Sequence, residues 1–355
     1  MHFKPLIGLQ ATLIGALGVT ISAAPAMAQQ ETGHLRGIFE SREVKVDIDN
    51  FVRAATNMEI GKYLAFSGGV NKLFHLREPT RVDQQPTVRM NRDTLYSMAI
   101  IDISEGASVT LPETGDRYIS AHIVNQDHYM DVFSGGGTYP LSQETFATPY
   151  VVMIIRTLVD AADPDDISTV HELQDQIKID AGSSRPFIMP NYDEDSFDAV
   201  LAAAKALADH IPDSSRTFGM PDEVDPIRHF LGAAFGWGGL PETEAFYLNV
   251  VPNLPVGEYQ IDIPADVPVG AFWSVSLYNA QGFFEPNSRN AYNVNSVTGA
   301  RNDDGSMVVH LGGCEDNRVN CLPIMEGWNY TVRLYQPGPE ILDGNWRFPE
   351  AVSAN

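Results

Sequence analysis

Residues 88–103 read VRMNRDTLYSMAIIDI, so two arginines, an asparagine and an aspartate run directly into an apolar stretch. Period-two alternation predicts a strand with Arg89, Asn91 and Asp93 on one face and Val88 and Met90 on the other. An unpaired buried charge costs several kcal/mol, so these side chains must pair, bind a ligand or stay wet. Two readings follow. In one, Asp93 is a general base or orients His122, Arg89 grips an anion with paired donors, and Asn91 and Tyr96 line the same site. In the other, an Arg–Asp pair is structural and Asn91 ties down a turn.

The flanking patterns set the fold class. Residues 118–124 (YISAHIV) alternate, and residues 150–157 (YVVMIIRT) form a continuous apolar, β-branched run that suits a strand covered on both faces. Residues 49–66 carry apolar side chains at helical spacing, ended by Gly68-Gly69. Helical signals dominate 161–240: a capping box at Thr169 to Glu172, an alanine-rich stripe over 195–209, and Asp225-Pro226 as cap and first-turn proline. From 241 onward, runs such as AFYLNVV, GEYQIDI and GAFWSVSLY return to β patterning, as in an antiparallel sandwich or barrel. The expected architecture is mainly β: a β-rich unit over 29–160, a helical connector over 161–240, and a β-sandwich over 241–355.

Alternation in the last unit places Asn329, Thr331, Arg333 and Tyr335 opposite Trp328, Tyr330, Val332 and Leu334. Phe272, Ser274, Ser276 and Tyr278 likewise oppose Trp273, Val275 and Leu277. An arginine with tyrosines and serines suits a sugar or another small polar ligand, and the same pattern also describes a solvent face beside an ordinary core. His122, Asp127, His128 and Tyr129 form a secondary group of candidates. Asp160, Asp163, Asp165 and Asp166 have no EF-hand spacing and read as a solvated loop capping the next helix.

Composition narrows the partners. With 23 Lys+Arg against 46 Asp+Glu, the net charge of −23 repels nucleic acid and anionic membrane. Residues 1–28 read as a secretory leader: Lys4, an apolar core over 6–19, and Ala26-Met27-Ala28 as a small-x-small cleavage site. Cleavage after Ala28 leaves no membrane span and places the mature chain in the periplasm or outside the cell. Cys314 and Cys321, an even count in an exported chain, suggest a disulfide, which contributes roughly 2–3 kcal/mol on the chain-entropy model. No zinc spacing, nucleophile elbow, phosphate loop or dinucleotide fingerprint is present; no metal-ligand set is named, and cofactors are left open.

NRDTLYS with its apolar continuation, and RYISAHIVNQDHY, resemble the domain-of-unknown-function family 1254. AFWSVSLYNAQGFF, NDDGSMVVHLG and LPIMEGWNYTVRLYQPGPEILDGNWRFPE resemble family 1214, in the order in which the two occur in tandem. The likeness spans about 50–160 and 240–352. It implies an exported bacterial protein of β-rich domains, the second jelly-roll-like, and carries no assigned activity or catalytic residues. The resulting expectation is a protein that acts on or binds a small polar or carbohydrate-like ligand between its two β units. The alternative is a non-catalytic structural envelope protein. Oligomeric state is left open.

Overall fold

The computed structural model describes residues 39–354, and the leader expected over 1–28 lies outside the described residues. The first half of the chain holds strands β1 (Phe39–Val44), β2 (Phe74–Leu76), β3 (Thr94–Asp102), β4 (Ala107–Leu111) and β5 (Ile119–Asn125). It continues with β6 (Met130–Ser134), β7 (Gly137–Leu141), β8 (Tyr150–Leu158), β9 (Lys178–Ala181) and β10 (Met189–Tyr192). A five-stranded sheet, β2-β3-β8-β5-β6, packs on a three-stranded sheet, β7-β4-β9. Val151, Met153 and Ile155 of β8 enter the core between these sheets. Val152 and Ile154 face the opposite way, onto Ile60 and Leu64 of helix α1 (Phe51–Ser67). The apolar run over 150–157 is therefore covered on both faces, each fully buried side chain contributing about 1.5–3 kcal/mol. Helix α1 stops where expected: Gly68 adopts a left-handed φ of 72° and its N–H reaches the Leu64 carbonyl at 2.9 Å.

After the short helix α2 (Gln143–Phe146) come α3 (Pro164–Gln174), α4 (Glu194–Ala208) and α5 (Pro226–Phe235). Aspartates cap all three of these: Asp163 accepts from the Asp165 N–H, Asp193 from Ser196 and Asp225 from Ile227. The start of α3 differs from the expected capping box. Asp163-Pro164 begins the helix, and Thr169 sits inside it, donating to the Asp165 carbonyl. Proline in the first turn needs no hydrogen-bond acceptor and has its φ preset, so it outweighs the box. Strands β9 and β10 also lie in this segment and join β4 and β1. The connector is thereby sewn into the first unit.

The last unit is a sandwich. Its strands are β11 (Ala245–Val250), β12 (Tyr259–Ile263), β13 (Trp273–Tyr278), β14 (Asn293–Asn295), β15 (Met307–Leu311), β16 (Cys321–Leu322), β17 (Asn329–Tyr335) and β18 (Val352–Ser353). Sheets β11-β17-β13-β14 and β16-β15-β12-β18 enclose a core that includes Trp273, Val275, Val332 and Leu334 from one and Ile261, Val309 and Leu311 from the other. A short helix, α6 (Pro339–Leu342), follows β17. Cys314 and Cys321 are disulfide-bonded, with Cα atoms 5.7 Å apart.

The polar face of the β11–β17–β13 sheet meets the first unit. Tyr118 packs on Phe272 at 5.4 Å between ring centroids, and Phe272 stacks on Tyr335 at 4.2 Å. The loop before β3 reaches across as well: Gln85 and Phe284 exchange hydrogen bonds of 2.9 and 2.8 Å, and the Arg89 N–H donates to the Gly282 carbonyl. This crossing corrects the strand expected from residue 88. Arg89 has a left-handed φ of 54°, and β3 starts only at Thr94. The carbonyls of Arg89 and Met90 accept from Arg333 and Tyr278, so the second unit dictates the backbone here in place of a ladder partner.

Candidate ligand-binding site

A cleft of ≈ 310 Å³ opens at this junction. Arg89, Asn91, Tyr96 and Arg156 line it from the first unit, and Tyr247, Asn249, Thr331, Arg333 and Tyr335 from the second. Strand register builds it. Tyr96 is paired with Arg156 across β3 and β8, Tyr247 with Arg333 and Asn249 with Thr331 across β11 and β17. The lining contains no carboxylate, histidine, cysteine or serine.

Three guanidinium groups converge here, and none takes part in an ion pair among the described residues. Arg89 donates to the Thr331 hydroxyl at 2.8 Å. Arg333, 4% exposed, donates to Ser276, Tyr278 and the Arg89 carbonyl, each at 2.8 Å. Burial opposes its charge, but Tyr278, Tyr335 and Asp93 more than offset that, so it stays protonated. Arg156 is 9% exposed and, among the described residues, meets neutral groups: the Tyr96 ring at 5.6 Å and, at 3.4 Å, Nδ1 of His122. Burial pushes the Tyr335 hydroxyl well above the ordinary phenol range, leaving it a neutral donor, and it accepts from Asn91 at 3.1 Å. Charge that is poorly screened at a low-dielectric wall acts strongly on an incoming anion.

Asp93 stands behind this wall and not in it. It is 0% exposed, and its Oδ1 accepts from Asn293 at 2.6 Å and Asn295 at 3.3 Å. Its Oδ2 has no hydrogen-bond partner among the described residues. The Arg–Asp pair considered from sequence is not formed. Arg92 instead lies over the Tyr292 ring at 5.0 Å and donates to the Thr80 carbonyl. A relay between Asp93 and His122 is not formed either. His122 is 0% exposed, with Nε2 3.1 Å from the Met130 sulfur. Burial, then Arg156, holds its protonation far below the usual histidine range. With Nδ1 accepting from Arg156, the ring proton sits on Nε2, and His122 supports the guanidinium from behind.

The structure thus brings together Arg89, Asn91, Tyr96, Arg333 and Tyr335 from the sequence candidates. Tyr129 is elsewhere, stacked on His229 at 4.3 Å beside the helices. Arg156, Tyr247 and Asn249 escaped the sequence reading. The signal for Arg156 was a lone charge closing the otherwise apolar run YVVMIIRT.

The buried histidines make stability pH-dependent. His122 and His229 are held below the ordinary histidine range mainly by burial, and His128 falls to about 3 through burial and His229. The unfolded chain takes up these protons near pH 6.5 while the native state does not, so stability is lost as pH falls below that. His128 alone accounts for about 2 kcal/mol at pH 5. Glu244, raised by burial and Asp131, acts in the opposite sense. Thermal denaturation from pH 7.5 to 5 is expected to show a falling Tm, and a flat or rising Tm would contradict the buried neutral imidazoles.

Two β-rich units meet where the arginine-lined cleft opens. The family models supply the rest: residues 70–181 match the protein of unknown function family DUF1254, and residues 255–339 match the protein of unknown function family DUF1214. The order of the two matches is the one the sequence resemblance implied. No curated protein matches it. The solved structure of the VPA0106 protein from Vibrio parahaemolyticus covers 86% of this chain and 98% of its own, at 18% identity and a TM-score of 0.64. That likeness is one of fold. An uncharacterised protein from Burkholderia cenocepacia covers 86% and 87%, at 17% identity and a TM-score of 0.48.

Proposed function

We propose that this is an exported binding protein for a small hydroxylated anion, a monosaccharide-sized carboxylic acid, held in the cleft between the two units. Arg156 carries the reading. A buried guanidinium with only neutral partners is costly, and a ligand carboxylate supplies the missing countercharge in the bidentate geometry arginine favours. Asn91, Asn249 and Thr331 offer donors and acceptors for hydroxyl groups, and Tyr96 and Tyr247 offer flat walls. The volume of ≈ 310 Å³ lies at the small end of the roughly 300–1,000 Å³ typical of ligand sites. The lining holds no carboxylate, histidine, cysteine, serine or lysine, and its hydroxyl groups, Thr331 and three tyrosines, have no base beside them in the cleft, which favours binding over turnover. The leader-like residues 1–28 and the Cys314–Cys321 bridge support export. The cationic cleft favours a ligand-binding role over a purely structural one.

Thermal shifts with galacturonate, glucuronate and gluconate, set against galactose and glucose, test this. The acids are expected to raise the Tm, by the equivalent of about 2.7 kcal/mol at a hundredfold excess over Kd, while the neutral sugars do not. Equal shifts for acids and sugars, or none for any acid, would overturn the proposal. Chemical conversion of an acid during incubation would replace binding with catalysis.

A further inference from the structure

We propose that the C-terminal sandwich carries a second, separate site that takes the alkyl chain of a free medium-chain carboxylic acid. A cavity of ≈ 450 Å³ lies on the inner face of β11 and β17, walled by Phe246, Leu248, Val332, Leu334, Trp346 and Phe348. It opens from the core of the sandwich itself, where Val332, Leu334 and Phe348 are buried while Phe246, Leu248, Val250 and Trp346 remain partly exposed. The cause is topological. The opposing sheet ends in β18, which pairs with β12 only at Tyr259 and Gln260. Irregular chain bearing Gly344, Trp346 and Pro349 covers the rest of the inner face.

An apolar wall left to water costs about 25 cal/mol per Å² of surface, and water there finds few hydrogen-bond partners. An alkyl chain removes both penalties. The rim supplies the head-group preference. Arg347 lines it, is exposed, and makes no hydrogen bond or ion pair among the described residues. Glu350 shares the rim, so the acid is placed on the Arg347 side. The site differs from the arginine cleft because side chains alternate on β11: Phe246, Leu248 and Val250 pack against the core, and only Tyr247 and Asn249 border both cavities.

The test is a titration of the full chain with decanoate, decanol and decylamine below their micellar concentrations, followed by tryptophan fluorescence, since Trp346 lines the cavity. Saturable binding with decanoate preferred is expected. Leu248→Phe, or Val250→Phe if the first does not fold, fills the cavity and weakens decanoate binding by at least about tenfold. Arg347→Gln removes the preference for decanoate over decanol, and Arg156→Met leaves both unchanged. Absence of saturable binding, undiminished binding in a folded filled variant, or a preference for decylamine would overturn the proposal. None of these outcomes bears on the arginine cleft, whose ligands are too polar for this cavity.

Discussion

Arg156→Met is expected to abolish the acid-dependent rise in Tm while leaving the unliganded protein as stable as the parent, or more so. The two halves of that result have separate causes. Arg156 is buried among neutral groups, so replacing it with an apolar side chain of similar reach removes a desolvated charge. Among the described residues the hydrogen bond lost is the long one to His122, and leaving that buried Nδ1 without a donor costs about 1–3 kcal/mol, which the removal of the desolvated charge offsets. Binding, by contrast, loses a desolvated charge pair, for which truncation costs about 2–5 kcal/mol, or more than tenfold in affinity. Calorimetric titration with galacturonate, alongside urea unfolding, separates the two. Unchanged affinity would place the acid elsewhere, and a severe loss of stability would make Arg156 a structural element.

Asp93→Asn is expected to destabilise the chain by about 1–3 kcal/mol, because the fully buried carboxylate accepts from two asparagine amides. Sequence alone left Asp93 open as a pair, a base or a turn residue. The structure places it behind the cleft, facing two asparagine amides that donate to it. An amide at this position sets a donor against those donors in some of its orientations, and it deletes the buried carboxylate that favours the charge on Arg333. Urea unfolding at pH 7.5 reads the loss. Anion affinity should hold or tighten, because the cleft becomes more positive. A variant with parental stability would show that Asp93 is not the countercharge to these arginines.

The parts of the fold that depend on local pattern were legible in the sequence. The run over 150–157 is covered on both faces as its composition required, and Asp225-Pro226 starts a helix as a cap and first-turn proline should. The alternation that set Thr331, Arg333 and Tyr335 on one face of β17 also held, because Tyr330, Val332 and Leu334 fill the sandwich core. What failed was the same rule applied to 88–93. Period-two alternation presumes a ladder, and there the backbone is claimed by Gly282, Tyr278 and Arg333 of the other unit. Contacts between residues two hundred or more positions apart leave no periodic trace. For the same reason, the partner of His122 could not be read: Arg156 becomes its neighbour only through the pairing of β5 with β8.

The most direct measurement is a crystal structure with galacturonate bound. The cleft reading expects its carboxylate between the two units, with a guanidinium nitrogen of Arg156 about 2.7–2.9 Å from a carboxylate oxygen. Galacturonate seated in another cavity, with Arg156 still meeting only Tyr96 and His122, would contradict it.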